Sequence, residues 1–457
     1  MADEEFEGPD VIVAGAGGGV VAALRAAERG LSVLLVDADE QFRRGNNTSM
    51  STAMIPAMGT RFQKAAGIED SPETFVADVA KKTGGDYNEV AARALAGVSA
   101  ELVEWLSDSV GLEIDVVTDF AYPGHSVHRC HSIPGRSGSA MLTGLLDTLS
   151  KEELVDVMTP AKLVDVVVED GVVTGAVIET PAGTEEIPTH AVVIATNGYG
   201  ANRELVAEHI PEISGAHYHG GEYSRGDALR IGAAVGAASD YLDAYQGHAG
   251  LAAPSASLAT WATVMHGGFL VNTAGERYGN ETTGYSEYAA QSLAHAADGS
   301  FIIIDQRIYD ACQSFQDFLD VVEGKGVKWG DAPEELAEAY GIDPAGLVRT
   351  LSETRRFAAG DEEDPHGRTF WEAPLEGRLA AIRVQPALFH TQGGLRVDEH
   401  ARVVKQDGSA IAGLYASGGA AAGISGHGAA GYLAGNGLLP ALGLSYLAAE
   451  DIASRSA

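Results

Sequence analysis

Two groups of residues in this 457-residue chain have types and spacing suited to chemistry. The first is the run Gly15 to Gly19 (GAGGG). It follows the short apolar stretch DVIVA and precedes VVAALRAAERG, and Asp37 closes the next apolar stretch, SVLLV. Glycines at such a turn let the backbone come against a pyrophosphate. The N–H groups and positive dipole end of the following helix hold its charge, and the acid accepts from a ribose hydroxyl. The loop departs from the six-residue fingerprint: the sixth position from Gly15 is Val20, so Gly19 fills that role in a loop one residue shorter. The second group is Tyr122, His125, His128, Arg129 and His131 in AYPGHSVHRCHSIPGRSG. That density of His beside Cys130 invites a metal, but the spacing matches no common zinc pattern and no metal is expected.

The elements that must position these groups are legible in outline. Residues 10–14 and 32–36 read as strands around a helix that stops at Gly30. Residues 70–110 read as helical, with Ser71 at a helix start. Residues 153–194 read as antiparallel strands, VVIATNGYG (192–200) as a buried strand entering a glycine turn, and 226–237 as a helix. From 244 to 372 the chain changes character, with aromatics, His, mixed loops and an acidic loop, GDEEDPHGR. Strands return from about 375, and GNGLLPALGLSYLAAEDIA closes as a helix. The expected division is therefore 1–243 and 373–457 as one domain, with 244–372 inserted as a second.

Composition excludes several functions. Lys plus Arg number 30 against 64 Asp plus Glu, a net charge of −34, so there is no basic stripe for nucleic acid and no attraction to an anionic membrane. The hydrophobic share of 45% argues against an acidic disordered chain. Two cysteines exclude a disulfide framework, a four-cysteine zinc site and an iron–sulfur cluster, and no CxxCH is present to attach haem. No run approaches the ~18 apolar residues of a membrane span, and MADEEFEGPD lacks the marks of a signal peptide. A cytoplasmic protein is the expectation, with oligomeric state undetermined.

The order of motifs resembles one family. After the fingerprint come RRGNNTSMS (43–51), VVIATNGYG (192–200), RGDALRIGAAVGA (225–237), LVNTAGERYGNE (270–281), HTQGGLRVD (390–398), GLYASGG (413–419) and GNG at 435–437. This is similar to the FAD-dependent fumarate reductase and succinate dehydrogenase flavoproteins, a superfamily that includes the 3-ketosteroid dehydrogenases and other ketone desaturases. The resemblance implies an α/β fold: a Rossmann-like FAD-binding domain built from both ends of the chain, with an inserted α+β capping domain over the flavin. By the same resemblance the cofactor contacts are Gly15, Gly17, Gly18, Gly19, Asp37, Asn46, Asn47, Thr48, Ser51, Ala195, Thr196, Asn197, Gly198, Asp227, Gly418, Gly419, Gly435, Asn436, Leu438 and Leu439. The segment that carries a flavin-linking His in succinate dehydrogenases has none here, so FAD is expected to be noncovalent. Two positions depart from the family: ATGG is ATNG, with Asn197, and the acid after LYAAG is Gly419.

The resemblance also implies site residues. His248 and His390 match the substrate histidines of the fumarate reductases. Counting from the strand FIIID places Tyr309 at their proton-delivering Arg, with Arg307 two residues earlier as the other register. Tyr432 stands at their second substrate Arg. Glu281 matches the acid of their proton relay, but the Arg expected after it is replaced at Gly284. The loop at Arg129 and His131 would meet a substrate carboxylate. Tyrosine in place of Arg offers one neutral donor, which suits a ketone oxygen better than a carboxylate. Tyr432, with the amides of Gly435 and Asn436, is the expected polarising group and Tyr309 the expected base. The implied reaction is desaturation of a small cyclic ketone, for example 4-oxocyclohexanecarboxylate, with a quinone or O2 as external electron acceptor. A fumarate-like reductase is the alternative, and a steroid substrate is a further one that the length of the chain disfavours.

Overall fold

The computed structural model describes residues 8–119, 121–253 and 255–456; the acidic residues 1–7 lie outside them. The fold is α/β. Strand Val11–Ala14 is buried along its whole length and pairs in parallel with Val33–Val36 on one side and Ala191–Ile194 on the other. An all-apolar strand of this kind needs cover on both faces, and helices supply it. Strand Ala410–Ala416, from the far end of the chain, pairs in parallel with Ala191–Ile194. Helix Gly19–Glu28 packs against the terminal helix Leu438–Ser456. Both ends of the chain thus build the nine-stranded sheet.

The 70–110 region is two helices, Pro72–Lys82 and Glu89–Asp108, and the Ser71 side chain accepts from Thr74 N–H as the cap of the first. The 153–194 region divides. Lys162–Glu169, Val172–Thr180 and Gly183–Pro188 form the expected antiparallel set. Val155–Met158 and Ala191–Ile194 instead run parallel within the main sheet, so the expectation of antiparallel strands throughout is corrected.

A second, six-stranded sheet forms the cap. Its spine is Leu379–Thr391, thirteen residues long, which pairs with His217–Tyr218, Tyr245–Ala252, Ser300–Asp305 and Val327–Gly330. This sheet extends outside the expected bounds of 244 and 372, back to His217 and forward to Thr391. The acidic loop before residue 372 marks a surface turn rather than a domain end, because the apolar run after it finds its partners in the cap. Each sheet has its own buried cluster, and Met54, Cys130 and Ala434 from the first lobe join the cap's.

Candidate active site

One long cavity runs between the lobes, from the glycine turn to the cap sheet. At its first end the loop after Val11–Ala14 is tightly held. Gly15 has φ +108°, and a Cβ there would run into Ala195 O; a Cβ on Gly18 would lie 2.8 Å from the Ala441 methyl. Helix Gly19–Glu28 has no side-chain cap and no acid in its first turn, which leaves its N-terminus to an anion. Asp37 accepts from the N–H groups of Ala16 at 2.7 Å and Asp39 at 2.9 Å. Burial raises its pKa and these two amides oppose the rise. Each oxygen keeps lone-pair capacity for a ribose hydroxyl.

Most of the expected cofactor residues line this cavity: Gly15, Gly17, Gly18, Asp37, Asn46, Asn47, Thr48, Ser51, Ala195, Thr196, Asn197, Asp227, Gly418, Gly419, Gly435, Asn436 and Leu438. Three stand behind its wall. Gly19 lies against Val13, Gly198 lies against Thr391, and Leu439 belongs to the first lobe's core. Asn47 ties the lobes together: its Nδ2 donates to Phe389 O at 2.9 Å, and its Oδ1 accepts from Gly221 N–H at 2.8 Å. The two departures from the family pattern are neighbours. Asn197 holds φ +65°, a left-handed conformation Asn tolerates, and its Oδ1 occupies the space a Cβ on Gly419 would take. An acidic side chain at 419 is incompatible with Asn197 in this place.

The cavity suits FAD on its own observations. Thr196 Oγ1 and Asn436 Oδ1 are buried in its wall without a hydrogen-bond partner. Leaving such atoms unpaired costs about 1–3 kcal/mol each, and a polar ligand in the cavity removes that cost. The glycine turn and uncapped helix end complete the cradle.

The other end is aromatic. Tyr122, Trp261, Tyr285, Phe315, Phe389 and Tyr432 line it with His248 and His390. Tyr285 and Tyr432 meet edge to face with centroids 5.8 Å apart, and their hydroxyls interact. Burial raises the pKa of Tyr122, Tyr285 and Tyr432, and at Tyr432 the neighbouring Tyr285 hydroxyl and Gly437 amide oppose it. His248 accepts from Gly250 N–H at Nδ1 (2.9 Å), which places its proton on Nε2, and burial pushes its pKa down to about 3. His390 Nδ1 faces Thr391 O at 3.3 Å, and burial pushes it down to about 4. Both rings are neutral near pH 7. Among the described residues the cations on the cavity wall are Lys162 and Arg225. Lys162 pairs with Asp227 at 3.0 Å, next to Ala161, whose N–H donates to Asp37 O. Arg225 Nε donates to Glu222 O. Both belong to the nucleotide end.

Several expected site residues lie elsewhere. Tyr309 is half-buried in the cap, edge-on to Phe318 and Trp329, and does not line the cavity. Arg307 donates to His266 O at 2.8 Å and meets Glu372 at 3.2 Å. Neither register of that helix therefore reaches the site. Arg129 is fully buried between Asp70 (3.0 Å) and Asp78 (2.6 Å) over the Phe75 ring. His131 bonds the Thr60 hydroxyl and Arg129 O, each at 2.8 Å. These two are tied within the loop that carries Tyr122 and do not line the cavity. The Asn436 amide is committed to Leu433 O, so Gly437 replaces it beside Tyr432. Glu281 is locked by Arg277 (2.7 Å) and Arg368 (3.3 Å), with Asp364 on the far side of Arg277. Tyr285 escaped the sequence reading. It directly follows Gly284, where the missing relay Arg was sought, and that gap was the available signal.

Comparison with known proteins agrees with this geometry. Residues 10–438 match the FAD binding domain family. The chain is 30% identical over 434 residues to a probable fumarate reductase, Ifc3, of Shewanella frigidimarina, covering 92% of this chain and 71% of that protein. A flavocytochrome c3 fumarate reductase in an open conformation superposes with a TM-score of 0.80 at 27% identity, over 98% of this chain and 78% of that one. A 3-ketosteroid Δ1-dehydrogenase from Sterolibacterium denitrificans shares the fold, with a TM-score of 0.76 at 20% identity over 98% and 99% of the two chains. With its cradle, its buried acceptors and these likenesses, the chain belongs to the FAD-binding flavoproteins of the fumarate reductase and succinate dehydrogenase superfamily, and it is an FAD-dependent oxidoreductase acting on CH–CH groups.

Proposed function

We propose that the protein is a dehydrogenase that desaturates a small cyclic ketone next to its carbonyl. The observation that carries this reading is the paired phenols, Tyr285 and Tyr432, at a cavity end without a cation among its described residues. The Gly437 amide and the Tyr285 hydroxyl lie beside the Tyr432 oxygen, and the Tyr432 O–H is the donor to a ketone oxygen. That bond acidifies the α-carbon. Tyr285 stands beside it to remove the α-proton, and bound FAD supplies the acceptor for the hydride from Cβ. His248, through Nε2–H, and Thr260 are the neutral donors for a carboxylate on the ring. FAD is held noncovalently, and a quinone or O2 takes the electrons.

The curated relatives favour a second reading, reduction of an unsaturated acid, since the probable enzyme of Shewanella frigidimarina is named for fumarate. Two carboxylates call for bidentate cations, which this end of the cavity does not offer among its described residues. The experiment is anaerobic mixing of enzyme with cyclohexanone, 4-oxocyclohexanecarboxylate and a 3-ketosteroid while the flavin absorbance is followed. Bleaching by a ketone, lost about 100-fold or more in Tyr285→Phe and Tyr432→Phe, is the expected result. No bleaching by any ketone, with rapid reoxidation of the reduced enzyme by fumarate, selects the second reading.

A further inference from the structure

Tyr285 and Tyr432 also line a second, small cavity with room for about one water molecule, and Lys82, Gly284 and Glu287 line it with them. Lys82, the last residue of helix Pro72–Lys82, donates to Glu287 Oε1 at 3.0 Å and to Thr283 O at 2.8 Å. Glu287 Oε2 is buried with no hydrogen-bond partner. The Thr283 hydroxyl lies close by but donates to Asn280 O at 2.8 Å. Gly284 keeps the space open: a Cβ there would lie 3.5 Å from Glu287 Oε2 and 3.8 Å from Lys82 Nζ. Glu281, the acid matching the fumarate reductases' relay, is tied up by two arginines. The Glu281 carboxylate is thus committed to ion pairs, and a second carboxylate, Glu287, borders the small cavity that the phenols line.

Desaturation releases a proton that must leave a buried site. Burial disfavours a resting phenolate at Tyr285, so its oxygen takes a proton only as its own hydroxyl proton departs. On the ketone-dehydrogenase reading, we propose that Glu287 receives that proton through a water in the small cavity. The Cα–H bond breaks and its proton binds the Tyr285 oxygen. The Tyr285 hydroxyl proton passes to the water, and a proton of the water passes to the Glu287 carboxylate. The electron pair of the broken bond becomes the new C=C bond as the hydride leaves Cβ, for which FAD, when bound, would supply the acceptor. Glu287, with a side chain 20% exposed, then releases the proton to solvent. Burial raises its pKa and Lys82 opposes the rise, which keeps the carboxylate poised between accepting and releasing.

The test is the rate of anaerobic flavin reduction by a cyclic ketone from pH 5 to 9 in the full-length holoenzyme. In the wild type the rate falls as pH falls through the Glu287 pKa, because the protonated acid accepts nothing. Glu287→Gln keeps the shape of the side chain, reduces flavin about 100-fold more slowly and loses this acid limb; Glu287→Asp retains the limb. Lys82→Met moves the limb to higher pH, and it decides the matter if Glu287→Gln does not retain FAD. A wild-type rate and profile in Glu287→Gln, or an unmoved limb in Lys82→Met, overturns the relay while the dehydrogenase reading stands. Wild-type enzyme bleached by no ketone overturns that reading instead.

Discussion

The imidazole of His248 lies nearly flat against the ring of Tyr285, centroids 4.6 Å apart and planes inclined by 21°. Phe389 covers its other face at 5.2 Å and 23°. A neutral ring stacked between two aromatics is a platform for the phenol, and its Nδ1 anchors the Gly250 amide.

His248→Phe is therefore expected to keep the stack and most of the flavin-reduction rate at saturating ketone, while the lost Nε2–H donor raises KM for a ketone bearing a carboxylate. His248→Ala loses the stack and destabilises the protein by about 2–5 kcal/mol. Denaturant midpoints and stopped-flow rates check both. A loss of the saturating rate in His248→Phe as deep as that in Tyr285→Phe would place His248 in the proton-transfer step instead.

Asn197 and Gly419 form a coupled pair. Gly419→Glu alone is expected to expel FAD, because the new side chain meets Asn197 Oδ1. Asn197→Gly combined with Gly419→Glu is expected to recover part of it, since the Gly198 backbone nitrogen also stands 2.7 Å from a Cβ at 419. Flavin retained per protein across the four-member cycle measures the coupling; additive losses would refute it.

Arg129 is an ion-pair hub between Asp70 and Asp78. Arg129→Met leaves the buried acids Asp70 and Asp78 uncompensated and costs about 3–5 kcal/mol of stability. Tyr309→Phe changes neither rate nor KM. Thermal melts and steady-state kinetics separate these outcomes, and a raised KM for Arg129→Met at unchanged stability would contradict the assignment.

Four histidines make the fold sensitive to acid. Burial pushes His125, His131 and His390 down to about 4 and His248 to about 3, from 6.5. The folded chain keeps them neutral while the unfolded chain protonates them. Their contribution is whole above pH 6.5 and is lost as pH falls towards 4, at about 1.4 kcal/mol per pH unit for each group. Urea unfolding at pH 7, 6 and 5 shows the slope, and His131→Gln is expected to reduce it. A slope unchanged in that variant would mean His131 titrates normally in the fold.

Noncovalent attachment has a direct check. Acid precipitation is expected to leave all the flavin in the supernatant, and yellow colour retained in the pellet would reverse the expectation.

The sequence by itself determined the cofactor end. Gly15 to Gly19, Asp37 and the segment Asn46 to Ser51 are local: a turn, a helix start and a strand end are set by residues a few positions apart, and their order along the chain marks the family. The resemblance also placed tyrosines where the fumarate reductases carry arginines. Only the tertiary structure decided which side chains meet at the cavity. Tyr122, Tyr285 and Tyr432 lie far apart in the chain, and which side chains meet at one cavity depends on how the cap sheet, with Leu379–Thr391 as its spine, settles on the first lobe. Counting along FIIIDQRIYD gave Tyr309 a position in the chain but not a direction, and packing against Phe318 and Trp329 turned it away. Arg129 and His131 look equally free in a sequence. Burial without paired acids would have been too costly for Arg129, and Asp70 and Asp78 reach it only through the fold.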